Sequence, residues 1–127
     1  MATTLSAGTG PLAVSASVQA IGTDVLVAVW GGTGPHIGSV AISAPHPERA
    51  PEQQRSTTLF EFTFPGHRDD ALARRVSMRV AAALQRTVMA SAGFHIPDIT
   101  AAGIETVLAN TDELIEKIIT ALQEGMP

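Results

Sequence analysis

The sequence predicts an α+β fold, in which a single, mainly antiparallel sheet of five to six strands carries its helices on one face. Four segments with strand-like patterns follow one another and are joined mostly by short turns, which favours antiparallel neighbours. Helical spacing appears only after the fourth strand. With 127 residues, of which 45% are hydrophobic, the chain can bury one core. We expect a flexible N-terminus at residues 1–10, which are small and polar, and one domain at residues 11–127.

The first three predicted strands follow this N-terminus. Residues 12–19 alternate between apolar and small or polar side chains, which is typical of a half-buried strand. Residues 25–30 are apolar on both faces, as in a central strand. Between them, Gly22-Thr23-Asp24 has turn chemistry and predicts a hairpin. A third strand follows at about residues 37–44.

A polar, proline-rich segment at residues 45–55 separates the third strand from the fourth. Its length and composition predict a loop. The fourth strand, at residues 56–64, places Phe60, Phe62 and Phe64 on one face. We expect that face to be the thickest part of the core, because aromatic side chains bury the most apolar area.

The second half of the chain alternates between helices and one strand. Asp69 or Asp70 is a suitable capping residue for a first helix, whose apolar residues recur at helical spacing. Asn110, Thr111 and Asp112 form a second capping signal between two further helices. The remaining predicted elements are a fifth strand and these two helices, at residues 87–96, 100–109 and 113–124.

Composition and charge argue against several function classes. The net charge of −4 argues against non-specific binding to nucleic acid or to an anionic membrane. The chain has no cysteine, which excludes disulfides, thiolate metal sites and thiol catalysis. The N-terminus does not resemble a signal peptide, and no stretch approaches the ~20 apolar residues that a membrane helix needs. We therefore expect a cytoplasmic protein with neither a nucleic-acid nor a membrane partner.

The segment WGGTGPHIGSVAI, at residues 30–42, is the first candidate site. A phosphate-binding P-loop would require a lysine after the last glycine, and a dinucleotide-binding loop would open a helix; both are missing here. Glycine nevertheless permits positive φ and close backbone approach, and successive amides in such turns can bind an anion. The residues leave two interpretations open: a ligand-binding loop, or a connection between strands, the commoner role of Gly/Pro clusters.

Histidines mark the ends of several predicted elements. His36, His67 and His95 could meet at one edge of the sheet, but no pair has the chelating spacing of a metal motif, and we predict no metal site. His67 and Arg68 precede a helix, whose N-terminal amides favour a phosphate; an ordinary capped helix start is the competing interpretation. No nucleophile stands beside a base, and we predict no catalytic residue.

Three blocks of the sequence, in this order, resemble the LpdD-like prenylated-flavin chaperone family: GGTGPHIGSVA at residues 31–41, PGHRDD at residues 65–70 and GFHIPDIT at residues 93–100. These small proteins are encoded with UbiD-type hydroxyarylic acid decarboxylases and were earlier described as a component of those enzymes. The resemblance covers about residues 10–125. It implies a fold like that of proteasome-assembly chaperones, a homodimer, and a non-catalytic carrier that delivers prenylated FMN to the decarboxylase.

The resemblance also suggests where the cofactor binds and which proteins the chain meets. A flavin mononucleotide needs a phosphate clamp, from the amides of residues 31–38 or from the helix start, and an apolar slot, for which Trp30, Ile37 and Phe94 are available. FMN itself is the alternative cofactor, and the flavin prenyltransferase is a second expected partner. A structural accessory protein of the decarboxylase without a ligand and a small metal-dependent enzyme remain alternative functions. The predicted cofactor-binding residues are Gly32, Gly34, His36, Ile37, Gly38, Gly66, His67, Arg68 and His95.

Overall fold

The computed structural model describes residues 2–46, 57–65 and 70–126. A short 3-10 helix at Gly10–Leu12 joins the first two strands. The described strands are β1 (Ala2–Ala7), β2 (Val14–Ile21), β3 (Asp24–Gly32), β4 (Ser39–Pro45), β5 (Thr57–Thr63) and β6 (Val88–His95). The described helices are α1 (Asp70–Leu84) and α2 (Ala101–Gln123).

The six strands form one sheet in the order β1-β2-β3-β6-β4-β5. Neighbouring strands are antiparallel except β3 and β6, which are parallel. This mixed arrangement arises because β6 follows α1 in the chain and enters the sheet between β3 and β4. The prediction of a mainly antiparallel sheet in an α+β fold is confirmed.

Both helices lie on the same face of the sheet, as predicted, and we call this the covered face. Helix α1 packs on β4, β5 and β6, whereas α2 packs on β1 and β2. Alternate strand residues point to the covered face and are buried there, so the strands contribute valine and alanine side chains to the core rather than aromatic ones. Those strand residues include Val14, Ala16, Val18, Val25, Val27, Val29, Ala41, Val88, Ala90 and Ala92.

The N-terminal residues form a strand, which corrects the expectation of a flexible segment at residues 1–10. Strand β1 pairs with β2 from Ala2 opposite Gln19 to Ala7 opposite Val14. Ala7 is buried and Leu5 packs against the core, so even this weak alternation of small side chains buries apolar area. The small residues of ATTLSA resemble a loop in composition, and their strand character depends on pairing with β2.

The end of the chain forms one long helix, so the prediction of two helices at residues 100–109 and 113–124 is wrong. The residues that resembled a capping signal have other partners. Thr111 is buried, and its hydroxyl donates to the Val107 carbonyl at 2.7 Å. The Asn110 side chain donates to the Leu12 carbonyl at 2.9 Å. The helix is capped instead at Thr100, whose Oγ1 accepts from the N–H of Gly103 at 3.0 Å.

The phenylalanine face of β5 is exposed, so the expectation that it forms the thickest part of the core is wrong. Phe60, Phe62 and Phe64 are 64%, 50% and 44% exposed. Phe60 pairs with Ile42 and Phe62 with Val40, which places them on the face opposite the helices. We call this the open face.

The intervening residues of β5 point towards α1. Leu59 packs against the core, and Glu61 accepts two hydrogen bonds of 2.9 Å from the guanidinium of Arg74. The sequence pattern alone could not show which of the two β5 faces α1 would cover. The predicted capping residue Asp69, the side chain of Asp70 and most of the predicted loop at residues 45–55 lie outside the described residues.

Candidate functional site

Four strand ends meet at one end of the sheet, which we call the carboxyl end. The parallel strands β3 and β6 finish there at Gly32 and His95. Strand β4 begins there at Ser39, which pairs with Ala92 on one side and Thr63, the last residue of β5, on the other. The segments that follow β3, β5 and β6 therefore start at the same end of the sheet.

Gly32 allows β3 to end against the backbone of β6. Its φ is +76°, and a Cβ at this position would lie 2.0 Å from the carbonyl oxygen of His95. The same carbonyl accepts a hydrogen bond from the N–H of Thr33 at 2.8 Å. Both the positive φ and the close backbone contact require glycine here.

Residues 33–38, which we call the glycine loop, cross the open face above Gly93. A Cβ at Gly93 would lie 1.6 Å from the carbonyl oxygen of His36, so only glycine permits this crossing. The far end of the loop is held by two hydrogen bonds of Gly38, whose N–H donates to Ala92 at 2.8 Å and whose carbonyl accepts from the N–H of Phe64 at 2.9 Å. The loop is thus a fixed part of the open face.

Gly34 lies beside two of the predicted histidines. Nδ1 of His36 lies 2.7 Å from the Gly34 carbonyl oxygen, so Nδ1 carries the proton and donates it to this bond. A Cβ at Gly34 would lie 3.5 Å from the Cβ of His95, an ordinary contact distance. The structure therefore brings His36 and His95 to the same loop, His36 half-buried and His95 exposed.

The loop amides offer fewer donors than the sequence suggested. The N–H groups of Thr33 and Gly38 donate to β6, and Pro35 has no N–H. Within the described residues, the N–H groups of Gly34 and Ile37 donate no hydrogen bond. Those two groups are therefore available to an anion.

The apolar surface near the loop differs in part from the predicted slot. Phe94 lies on the covered face and packs against the core, and a Cβ at Gly31 would lie 2.6 Å from its ring, so Phe94 does not line the open face. Trp30 pairs with Gly93 and lies half-buried on the open face, and the Ile37 side chain is 61% exposed. Trp30 and Ile37 therefore remain candidates for the slot.

Sequence reasoning missed two aromatic residues at this end of the sheet. Phe62 and Phe64 pack edge to face, with ring centroids 5.1 Å apart. The N–H of Phe64 binds the last residue of the glycine loop, which places this aromatic pair beside it. The spacing of the phenylalanines showed that they share a face; their proximity to the loop depends on strand order.

Gly66, His67 and Arg68 lie outside the described residues. The described residues before this segment end at Pro65, next to the carboxyl end of the sheet, and those after it begin with Asp70 at the start of α1. Among the described residues, no group of three or more histidine, aspartate or glutamate side chains is arranged to hold a metal ion. Neither described helix is long and apolar enough to cross a membrane.

The comparisons with known proteins agree on one family. Residues 8–123 match the family described as "Prenylated flavin chaperone LpdD-like domain". The chain is 33% identical over 115 residues to Protein LpdD of Lactiplantibacillus plantarum (strain ATCC BAA-793 / NCIMB 8826 / WCFS1), covering 87% of this chain and 77% of that protein.

A solved structure is similar over the whole chain. It was reported as the crystal structure of a novel chaperone complex for yeast 20S proteasome assembly, and the TM-score is 0.62. The match covers 100% of this chain and 98% of the other, at 10% sequence identity. This similarity confirms the predicted fold, which proteasome-assembly chaperones share.

Proposed function

Since the chain belongs to the LpdD-like family of prenylated flavin chaperones, we propose that it binds prenylated FMN and delivers it to a UbiD-type decarboxylase. The observation that carries this proposal is the glycine loop, fixed across the open face beside exposed apolar and aromatic side chains. The chain acts as a cytoplasmic carrier rather than an enzyme. The flavin prenyltransferase, which produces the cofactor, is the second protein that it meets.

The residues at the carboxyl end suit the two parts of a flavin mononucleotide. The N–H groups of Gly34 and Ile37 point to no protein acceptor among the described residues, so they are available to a phosphate or ribityl oxygen. His36 and His95 add polar side chains at the same loop. When bound, the prenylated flavin supplies the decarboxylase with its reactive ring system; this chain supplies only binding.

The ring of the flavin needs a flat apolar surface. Trp30 on the open face and the edge-to-face pair Phe62 and Phe64 provide aromatic area near the loop. Phe62 and Phe64 are about half exposed, so a ring bound there keeps access to solvent. An open site of this kind suits a carrier, because the cofactor must leave it intact when the decarboxylase binds.

Titration of the full chain with prenylated FMN and with FMN under anaerobic conditions tests this proposal. Trp30 is the only tryptophan, so its fluorescence reports on the candidate site without a label. We expect saturable quenching together with a change in flavin absorbance. Absence of both at cofactor concentrations up to about 100 μM, where binding would be weaker than about −5.5 kcal/mol, would contradict the proposal.

Two isoleucines provide a matched pair of variants. Ile37 is 61% exposed in the glycine loop, and Ile21 is 55% exposed at the opposite end of the sheet, where it pairs with Asp24. Ile37→Asp places a negative charge where the phosphate would lie and should weaken binding by at least about 10-fold, or about 1.4 kcal/mol. Ile21→Asp should leave the affinity unchanged. Equal affinities in the two variants would remove the loop from the site.

The second predicted clamp is tested separately through Arg68. We propose that its guanidinium binds the flavin phosphate, since arginine forms bidentate hydrogen bonds with phosphate oxygens. Arg68→Ala should weaken prenylated FMN binding by about 10-fold or more, the loss of one charge-assisted contact. Arg86→Ala makes the same change of net charge after the end of α1 and serves as the control. If both arginine variants bind equally well, Arg68 has no part in the clamp.

A further inference from the structure

Strand β1 forms one edge of the sheet, where its only neighbour among the described strands is β2. Its sequence, ATTLSA, contains no charged residue and no proline, which are residues that commonly protect a sheet edge. An edge strand without them presents backbone N–H and C=O groups that can pair with a strand of another molecule. The outer side of β1 is therefore a candidate binding surface.

The strand register shows which backbone groups of β1 face this edge. The N–H of Val25 donates to the Thr87 carbonyl, so odd-numbered residues of β3 direct their backbone groups towards β6 and even-numbered residues towards β2. The antiparallel registers continue this alternation through β2, so Leu5, which lies opposite Ala16, bonds to β2. The residues of β1 whose N–H and C=O groups point away from the sheet are Ala2, Thr4 and Ser6.

One side-chain contact agrees with this orientation. Nζ of Lys117 donates to the Ser6 carbonyl at 2.8 Å, as it can only if that carbonyl faces away from β2. Within the described residues, the N–H groups of Thr4 and Ser6 and the Thr4 carbonyl have no partner. Because a carbonyl oxygen accepts two hydrogen bonds, Lys117 leaves even the Ser6 oxygen available. The outer edge of β1 can therefore hold an added strand.

An open groove of about 410 Å³ runs beside this edge on the covered face, between β1 and α2. Leu5 lines it from β1 and is itself packed against the core. The α2 residues that line it recur every three or four positions, as one stripe of a helix does. They are Glu113, Glu116, Lys117, Thr120, Ala121 and Glu124. We call this the β1–α2 groove.

The charges of the β1–α2 groove favour a cation. Its three carboxylates are accompanied by a single ammonium group, that of Lys117. Glu113 lies 3.8 Å from that ammonium and Glu116 lies 2.6 Å from Arg79, so both carboxylates are partly compensated. Glu124 has no cationic partner among the described residues. It also follows the last residue of α2, where the negative end of the helix dipole attracts positive charge.

We propose that the outer edge of β1 binds an extended segment of a partner protein, which adds a strand to the sheet and places a lysine or arginine side chain in the β1–α2 groove. Side chains of the added strand alternate between the two faces, so the residue opposite Leu5 points towards α2. The methylene groups of a lysine or arginine there lie along Leu5 and Ala121, and its charged end reaches the glutamates. The proposal goes beyond the carrier function and does not rest on it.

An alternating peptide with blocked ends, Val-Thr-Lys-Thr-Val-Thr-Val, tests the proposal with the full chain. In antiparallel pairing its lysine lies opposite Leu5 and the next threonine opposite Thr4. Fluorescence anisotropy of the labelled peptide should show saturable binding with a dissociation constant of about 10–100 μM. A peptide with glutamate in place of lysine should bind at least about 5-fold more weakly, because it meets the groove with the same sign of charge.

Thr4→Pro tests the edge itself. Proline lacks the N–H that Thr4 directs outward, and its ring occupies the same place, so peptide binding should fall by at least about 10-fold. Proline is tolerated where an edge strand turns its N–H away from the sheet, so the circular dichroism spectrum should not change. Thr4→Ala is the matched control, since it removes the same exposed side chain and keeps the N–H. It should bind the peptide like the wild type.

Glu124→Gln tests the charge of the groove. It should weaken binding of the lysine peptide by about 2- to 5-fold, the contribution of one exposed ion pair. Glu105→Gln makes the same change of charge at an exposed position of α2 outside the groove and should leave the affinity unchanged. Hydrogen exchange adds a direct test of position, since the bound peptide should slow exchange of the Thr4 and Ser6 amides.

Three results would overturn the proposal. The first is absence of peptide binding at concentrations up to about 1 mM, far above the expected dissociation constant. The second is equal peptide affinity in Thr4→Pro and Thr4→Ala. The third is a wild type that binds no peptide and whose mass in sedimentation equilibrium falls in Thr4→Pro, which would mean that β1 pairs with a second copy. Flavin affinity should be the same in Thr4→Pro and the wild type, so this proposal and the flavin proposal fail separately.

Discussion

Gly32 and Gly22 both have positive φ, at +76° and +60°, but only Gly32 is also held against another backbone segment. No atom lies within 4 Å of a Cβ built on Gly22, whereas a Cβ on Gly32 would collide with His95. The sequence predicted that the glycines of residues 30–42 would be needed for unusual backbone dihedral angles or for close approach of another backbone segment. The structure shows both requirements at Gly32, and it shows a second close approach outside this segment, where the carbonyl of His36 lies against Gly93 of β6.

This difference gives a prediction at the scale of single residues. Gly22→Ala should lower the free energy of unfolding by about 1 kcal/mol, the cost of a left-handed conformation with a side chain. Gly32→Ala adds a steric collision and should cost about 2–4 kcal/mol in total. Urea unfolding of both variants measures the two costs. Equal costs would mean that the contact between Gly32 and His95 does not constrain the end of β3.

At the scale of elements, local patterns predicted most strands but also predicted a helix stop near residue 110 that the structure does not have. The segment around Asn110, Thr111 and Asp112 has good capping residues, yet the helix continues because each of these side chains finds another partner. Asp112, for example, accepts hydrogen bonds from Arg75 at 3.0 Å and from Arg79 at 3.1 Å. These contacts outweigh a local helix stop, and those of Asn110 with Leu12 and of Asp112 with α1 join distant parts of the chain, so they are not visible in the sequence.

A proline substitution distinguishes one helix from two. In a two-helix arrangement Glu113 would be the first residue of the second helix, where proline is well tolerated. In the continuous α2 it is an interior residue, so Glu113→Pro should cost about 3 kcal/mol or more. The Glu113→Ala control loses only the pair with Lys117, 3.8 Å away and exposed, and should change stability by less than about 0.5 kcal/mol. A Glu113→Pro variant as stable as this control would contradict the continuous helix.

At the scale of the whole molecule, the fold class was predictable but strand order was not. Short turns and periodicity were enough for an α+β fold with helices on one face. The insertion of β6 between β3 and β4 depends on packing between distant segments, as does the choice of the covered face of β5. That choice turned Phe60, Phe62 and Phe64 from expected core residues into surface residues and brought the last two beside the glycine loop.

The candidate site was predictable to a similar extent. His36 and His95 lie near each other at the carboxyl end because His36 follows β3 and His95 is the last residue of β6, and both strands end there. The sequence could not reveal that Phe94 points into the core, or that the Thr33 and Gly38 amides are bound to β6. Those outcomes depend on register, and a shift of one residue would reverse them.

Hydrogen exchange with and without saturating prenylated FMN tests the central claim, that the cofactor binds at the carboxyl end of the sheet. The N–H groups of Gly34 and Ile37 donate no hydrogen bond within the described residues, so they should exchange rapidly in the unliganded chain. We predict that bound prenylated FMN slows exchange in the glycine loop, while the turn at Gly22 is unaffected. Protection confined to segments away from the glycine loop, with its own exchange unchanged, would contradict the claim.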